Sequence, residues 1–91
     1  MYSKGRRKGT MRLLVRVPEG VGKVQVAGDF SNWSPIAMRR IKKGLYAVSV
    51  DVKERGRFEY KYLVDGQWTK DPDNSMSAMS VFGENSVAQV D

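Results

Sequence analysis

A tryptophan and a lysine on one face of a tight hairpin are the residues of this chain best placed for chemistry. The segment from Arg57 to Lys70 reads as two strands joined by the turn pair Asp65-Gly66, a strong short-range hairpin signal. With that loop Val64 lies opposite Gln67, Leu63 opposite Trp68, and Lys61 opposite Lys70. Cross-strand partners share a face, so Lys61, Leu63, Trp68 and Lys70 project to one side. Phe58, Tyr60, Tyr62 and Val64 take the other side, which is the core face. An indole on the outer face, with an ammonium diagonally beside it, suits a flat polar ligand. Sugars fit best, because axial C–H groups give the ring an apolar face and hydroxyls give it a hydrogen-bonding rim.

Catalysis has little to work with. The chain has no histidine and no cysteine, and no serine in a nucleophile-elbow pattern. A glycosidase needs two carboxylates facing each other across a cleft. Asp65, Asp71 and Asp73 fall instead in turn sequences, where local hydrogen bonding accounts for them. Asp71-Pro72-Asp73-Asn74-Ser75 lacks the glycine and glutamate that complete a calcium loop. The expectation is a non-enzymatic chain with neither cofactor nor metal.

The elements that must position these residues are strands. No segment sustains helical apolar spacing with caps. Short runs bounded by turn residues predict strands over Met11–Val17, Lys23–Ala27, a basic edge strand Ile36–Lys42, Leu45–Val52, the hairpin, and Ser86–Val90. Roughly seven to eight such strands with Gly and Asp turns make an all-β chain, an antiparallel β-sandwich. Within the loop between Gly28 and Pro35, either Phe30 or Trp33 could plug the core. Phe30 continues the Val24/Val26 alternation inward, which leaves Trp33 outside.

The 91 residues suffice for one domain and one core. The net charge of +6 is unevenly spread: Lys4, Arg6, Arg7 and Lys8 carry four of it, so the remainder is nearly balanced. Residues 1–10 therefore read as a basic disordered tail and residues 11–91 as the sandwich. The basic start has no apolar run behind it, and no later stretch is long enough to span a bilayer. The expected location is the cytoplasm, with no membrane partner.

Three blocks of sequence carry a resemblance: Val24-Gln25-Val26-Ala27-Gly28-Asp29-Phe30-Ser31-Asn32-Trp33, then Gly44-Leu45-Tyr46, then Phe58 through Trp68. Asp71-Pro72 and Glu84-Asn85-Ser86-Val87 extend it. Together they resemble the family 48 carbohydrate-binding modules, which include the glycogen-binding domain of the AMP-activated protein kinase β subunit and the N-terminal domains of glycogen branching and debranching enzymes. The resemblance implies an immunoglobulin-like sandwich that binds α-1,4-linked glucans such as glycogen, starch, maltodextrin or cyclodextrin. It puts platform tryptophans at Trp33 and Trp68, a sugar-contacting lysine at Lys61 and an asparagine at Asn85. Phe82 stands in for the family's leucine that reaches around the sugar, and the threonine of that loop has no counterpart. Because such modules usually adjoin a catalytic domain, the resemblance also implies a protein partner, a glycogen-metabolising enzyme or kinase.

Two other functions compete. The basic tail, with Arg39-Arg40, Lys42-Lys43 and Arg55/Arg57, could bind nucleic acid while exposed aromatics stack on bases. Alternatively, the sandwich is a protein-interaction domain whose sugar site is weak or lost. Each proposed site residue also has a plainer role. Trp68 could stack on Leu63, Lys61 could be a solvated strand lysine, and Asn85 could hold a turn.

Overall fold

The computed structural model describes residues 1–6, 9–52, 56–80 and 83–90. Among them are ten strands and one 3-10 turn, η1 at Asp29–Ser31. The strands run β1 (Tyr2–Lys4), β2 (Thr10–Arg16), β3 (Val24–Gly28), β4 (Ile36–Ala37), β5 (Arg39–Lys42), β6 (Leu45–Asp51), β7 (Gly56–Val64), β8 (Gln67–Thr69), β9 (Ser77–Ser80) and β10 (Gly83–Val90). They form two antiparallel sheets, ordered β1-β2-β6-β5 and β4-β3-β7-β10-β9, with β8 also paired to β7. The fold is an antiparallel sandwich of the immunoglobulin-like kind. No helix among the described residues is long and apolar enough to cross a membrane.

The core lies between the sheets. Met11, Leu13 and Val15 of β2, with Val50 of β6 and Val52 just after it, meet Val24 and Val26 of β3 and Tyr60 and Tyr62 of β7. Alternation alone places these side chains inward, and Tyr60 and Tyr62 are fully buried. Each such large side chain removed from water contributes about 2 kcal/mol. Their hydroxyls both donate to Asp71, Tyr60 at 2.6 Å and Tyr62 at 3.4 Å. Asp71 is itself buried and its backbone N–H donates to the Ser86 hydroxyl oxygen at 2.8 Å. It is therefore an internal acceptor as well as a turn residue, which turn chemistry alone does not reveal.

Two segments differ from expectation. The sequence reading treats residues 1–10 as a disordered tail, yet Tyr2–Lys4 pairs with Met11–Leu13 and Thr10 begins β2. The Tyr2 ring packs edge-on against Tyr60 with centroids 6.4 Å apart, and Gly5 N–H donates to the Thr10 carbonyl at 2.9 Å. The expected edge strand Ile36–Lys42 is divided at Met38. β4 pairs with β3 in one sheet and β5 with β6 in the other, while Met38 itself is buried between them. An apolar residue that enters the core at that point turns the chain from one layer to the next.

Strand β7 organises the functional end. One edge pairs with β3 from Tyr60 to Val64. The opposite edge pairs with β10 from Gly56 to Tyr60 and with β8 from Tyr62 to Val64. Lys61 falls where the partner changes.

Candidate carbohydrate-binding site

The hairpin has the predicted register, with Leu63 opposite Trp68 and Val64 opposite Gln67. Asp65 and Gly66 both adopt positive φ, 48° and 82°, as a two-residue turn of this type requires. The Asp65 carboxylate also accepts the N–H groups of Gly22 and Lys23 at 3.0 and 2.8 Å, tying the hairpin tip to the loop before β3. This anchoring holds β8 in place although it is only three residues long. Trp68 is consequently presented to solvent, 51% exposed.

Trp33 reaches the same place by another route. Gly28 ends β3 in close contact with β7: a Cβ there would lie 2.6 Å from the Glu59 carbonyl oxygen and 2.9 Å from the Tyr60 Cβ. The chain then makes the η1 turn and two consecutive left-handed residues, Asn32 at φ 55° and Trp33 at φ 62°. Hydrogen bonds from Trp33 N–H to the Gly28 carbonyl and from Ser34 N–H to the Ser31 carbonyl, at 2.9 and 3.0 Å, close this loop. Phe30 packs against the core, as its alternation predicts, and Trp33 is only partly buried. The two indoles meet at a centroid distance of 6.3 Å and an angle of 62°.

Beside the indoles opens a groove of about 600 Å³, whose wall also includes Lys61 and Asn85. Four residues singled out in the sequence thus line one cavity. Lys61 sits at the strand changeover and is half-buried, and its ammonium has no ion-pair or hydrogen-bond partner among the described residues. Gly83 leaves room beside it, since a Cβ there would already approach Nζ to 3.6 Å. Asn85 is more enclosed than a rim residue, at 8% exposure, and its amide donates to the Glu59 carboxylate at 3.2 Å. Phe82 lies outside the described residues.

Three further residues line the groove: Asp29, Glu59 and Ser80. Strand alternation would have put Glu59 on the face of Lys61. No local signal identifies Asp29, whose carboxylate accepts Trp33 Nε1–H at 3.1 Å and Glu59 N–H at 2.8 Å. Lys70 forms an ion pair with Glu84, bridging the end of β8 to the start of β10. The hydrogen bond from Lys70, reinforced by its charge, holds the Glu84 carboxyl below the usual carboxylate range. Chemically, the site offers two flat apolar surfaces set at an angle, one ammonium, one amide and two carboxylates. The exposed basic strand β5 belongs to the other sheet.

A family model described as the glycogen recognition site of AMP-activated protein kinase matches residues 11–90. The 5'-AMP-activated protein kinase subunit beta-1 of Sus scrofa is 39% identical over 72 residues, which is 78% of this chain and 57% of the relative. Its Homo sapiens counterpart is 38% identical over 72 residues, 78% of this chain and 26% of the relative. The chloroplastic PTST homolog 2 of Arabidopsis thaliana is 34% identical over 56 residues, 60% of this chain and 10% of the relative. The chain therefore spans a little over half of the pig relative and about a quarter of the human one. Among solved structures, a maltogenic amylase from S. marinus superposes with a TM-score of 0.79 at 20% identity, covering 100% of this chain and 16% of the amylase. At that identity the likeness is one of fold. With the sandwich, the ordered sequence blocks and the family match in agreement, the chain belongs to the glycogen-recognition carbohydrate-binding modules typified by AMP-activated protein kinase.

Proposed function

We propose that this module binds α-1,4-linked glucans without catalysis, using Trp33 and Trp68 as an angled platform and Lys61 and Asn85 as polar contacts. The observation that carries the reading is the meeting of two partly exposed indoles over one groove. Successive glucose units of an α-1,4 chain turn relative to one another, so rings at an angle can each cover the apolar face of a different unit. Lys61 supplies donors for the hydroxyl rim, and Glu59 adds acceptors that the sequence reading did not include. After the cost of ordering a flexible oligosaccharide, the affinity belongs in the range of about a micromolar to a millimolar.

The charge of the groove favours a neutral ligand over a polyphosphate. Asp29 and Glu59 outnumber Lys61 there, while Arg39, Arg40 and Lys42 lie on the other sheet. Tryptophan fluorescence titrated with maltoheptaose and β-cyclodextrin, at low and high salt, tests the reading. Binding that is nearly independent of salt is expected. A neutralised nucleic-acid backbone would give a log–log slope of about −0.9 per phosphate contacted. No response to either glucan, with steep salt-dependent binding of an oligonucleotide, would reject the proposal. The relatives named as kinase subunits support a second element, that the module brings a protein partner to the glucan. Capture from lysate with and without maltoheptaose tests this, and recovery of no partner counts against recruitment.

A further inference from the structure

We propose that Asp29 is a positioning residue for the Trp33 platform: its carboxylate fixes the plane of the indole and, as an anion on the ring's N–H edge, enriches the π face that meets the sugar. The inference rests on the glucan-binding reading above and adds a residue to it. Trp33 needs an anchor because its backbone lies in the left-handed region that bulky side chains rarely adopt. Its indole N–H has one recorded acceptor among the described residues, Asp29 Oδ1 at 3.1 Å. The other carboxylate oxygen accepts the Glu59 N–H at 2.8 Å. One carboxylate thus clamps the platform ring to β7, the strand that carries Lys61.

Two consequences follow for a ligand. A ring already held in its binding orientation loses little rotational freedom when the sugar arrives. A hydrogen bond to a full negative charge also pushes electron density into the indole. The axial C–H groups of glucose carry partial positive charge, so a more electron-rich face attracts them more strongly. A purely local role in the η1 turn is the competing explanation, because Asp29 occupies its first position.

The substitution Asp29→Asn separates these roles. An amide is nearly isosteric, but it accepts only through its carbonyl oxygen. Of the two N–H groups now bonded, one would face an NH₂ instead. The experiment is a double-mutant cycle with Trp33→Phe, which keeps an aromatic ring and removes the indole N–H, read as the Kd for maltoheptaose. In the otherwise unchanged chain, D29N is expected to raise Kd about tenfold, as for loss of a charge-assisted hydrogen bond. In the W33F background the same change should cost less than about twofold. With two tryptophans in the chain, the Trp33 indole resonance is identified by its disappearance in W33F, and D29N should shift it upfield. Equal losses in both backgrounds, or a D29N affinity within twofold of the unchanged chain while Trp33→Ala abolishes binding, would overturn the proposal. If Trp33→Ala and Trp68→Ala both bind like the unchanged chain, the glucan reading fails and this inference with it. Should D29N not fold, the cycle is read on Asp29→Ser, whose shorter side chain withdraws the acceptor from the indole N–H and removes the charge.

Discussion

Trp68→Ala is the substitution whose effect can be worked most directly from the structure. A tryptophan offers about 200 Å² for burial, and here roughly half of the side chain is open. On the order of 100 Å² is therefore left for a ligand, worth about 2.5 kcal/mol at 25 cal/mol per Å². The edge contact with Trp33 is lost as well, which frees that ring from the orientation it holds in the platform. Against this, a sugar shifting in the widened groove recovers part of the contact. The expected net loss is about 2 kcal/mol, or roughly a thirtyfold rise in Kd.

Isothermal titration with maltoheptaose measures that change, and urea unfolding of the same samples controls for stability. Because Trp68 stands on the outer face of a short strand, the stability cost should stay under about 1 kcal/mol. Binding and folding should separate, with a large effect on the first and a small one on the second. A variant that remains folded and binds within twofold of the unchanged chain would show that the ligand rests elsewhere. Equal losses of binding and stability would instead make Trp68 a structural residue of the hairpin.

Three other predictions draw on different parts of the molecule. Lys61→Met keeps the aliphatic stem and removes the donors, so the Kd for maltoheptaose should rise about tenfold with its weak salt dependence unchanged, as read by titration at two ionic strengths. Gly28→Ala places a methyl within 2.6 Å of the Glu59 carbonyl oxygen, where neither backbone can yield without disturbing the η1 turn. A loss of about 2 kcal/mol or more in urea unfolding is expected, and an unchanged midpoint would refute the close approach. Burial, followed by the hydrogen bond to Asp71 for Tyr60 and that carboxylate's charge for Tyr62, pushes both phenol pKa values far above the usual tyrosine range. The folded state keeps these groups protonated while the unfolded state ionises near pH 10, so their stabilisation is complete below about pH 10 and lost above it. Alkaline unfolding should move to higher pH in a folded Tyr62→Phe variant, provided its lost hydrogen bonds are referenced to its neutral-pH stability. A transition that does not shift would remove the phenol as its cause.

What the sequence disclosed follows the range of each physical signal. A two-residue Asp-Gly turn leaves one register, and register fixes the faces, so the positions of Trp68 and Lys61 were readable without coordinates. Phe30 and the β3 alternation were equally local. The approach of Trp33 to Trp68 was not, because nothing in 34 intervening residues encodes it except the packing of the η1 turn onto β7; the family resemblance supplied that pairing. Asp29 and Asp71 escaped for a related reason. Both sit in turn-forming sequence, but Asp29 also accepts a backbone N–H from β7 and Asp71 accepts two tyrosine hydroxyls from that same strand, contacts that only the tertiary fold creates. Met38 hid the division of β4 from β5 because one inward apolar residue looks the same in a continuous strand as at a crossing between layers.

The position of the groove follows from an irregularity in the sheet. A strand paired along its whole length on both edges leaves its outer face flat, since neighbouring side chains fill the space on either side. Strand β7 instead exchanges β10 for β8 around Lys61. Side chains from the two partners approach the changeover from opposite directions: Trp68 from β8, Asn85 from β10. Gly83 contributes no side chain to crowd Lys61, and the Lys70–Glu84 pair holds the two partner strands across the interval. The η1 turn then brings Trp33 over one end. A concave surface thus forms on a sheet that would otherwise be convex or flat, without a long loop or a second domain.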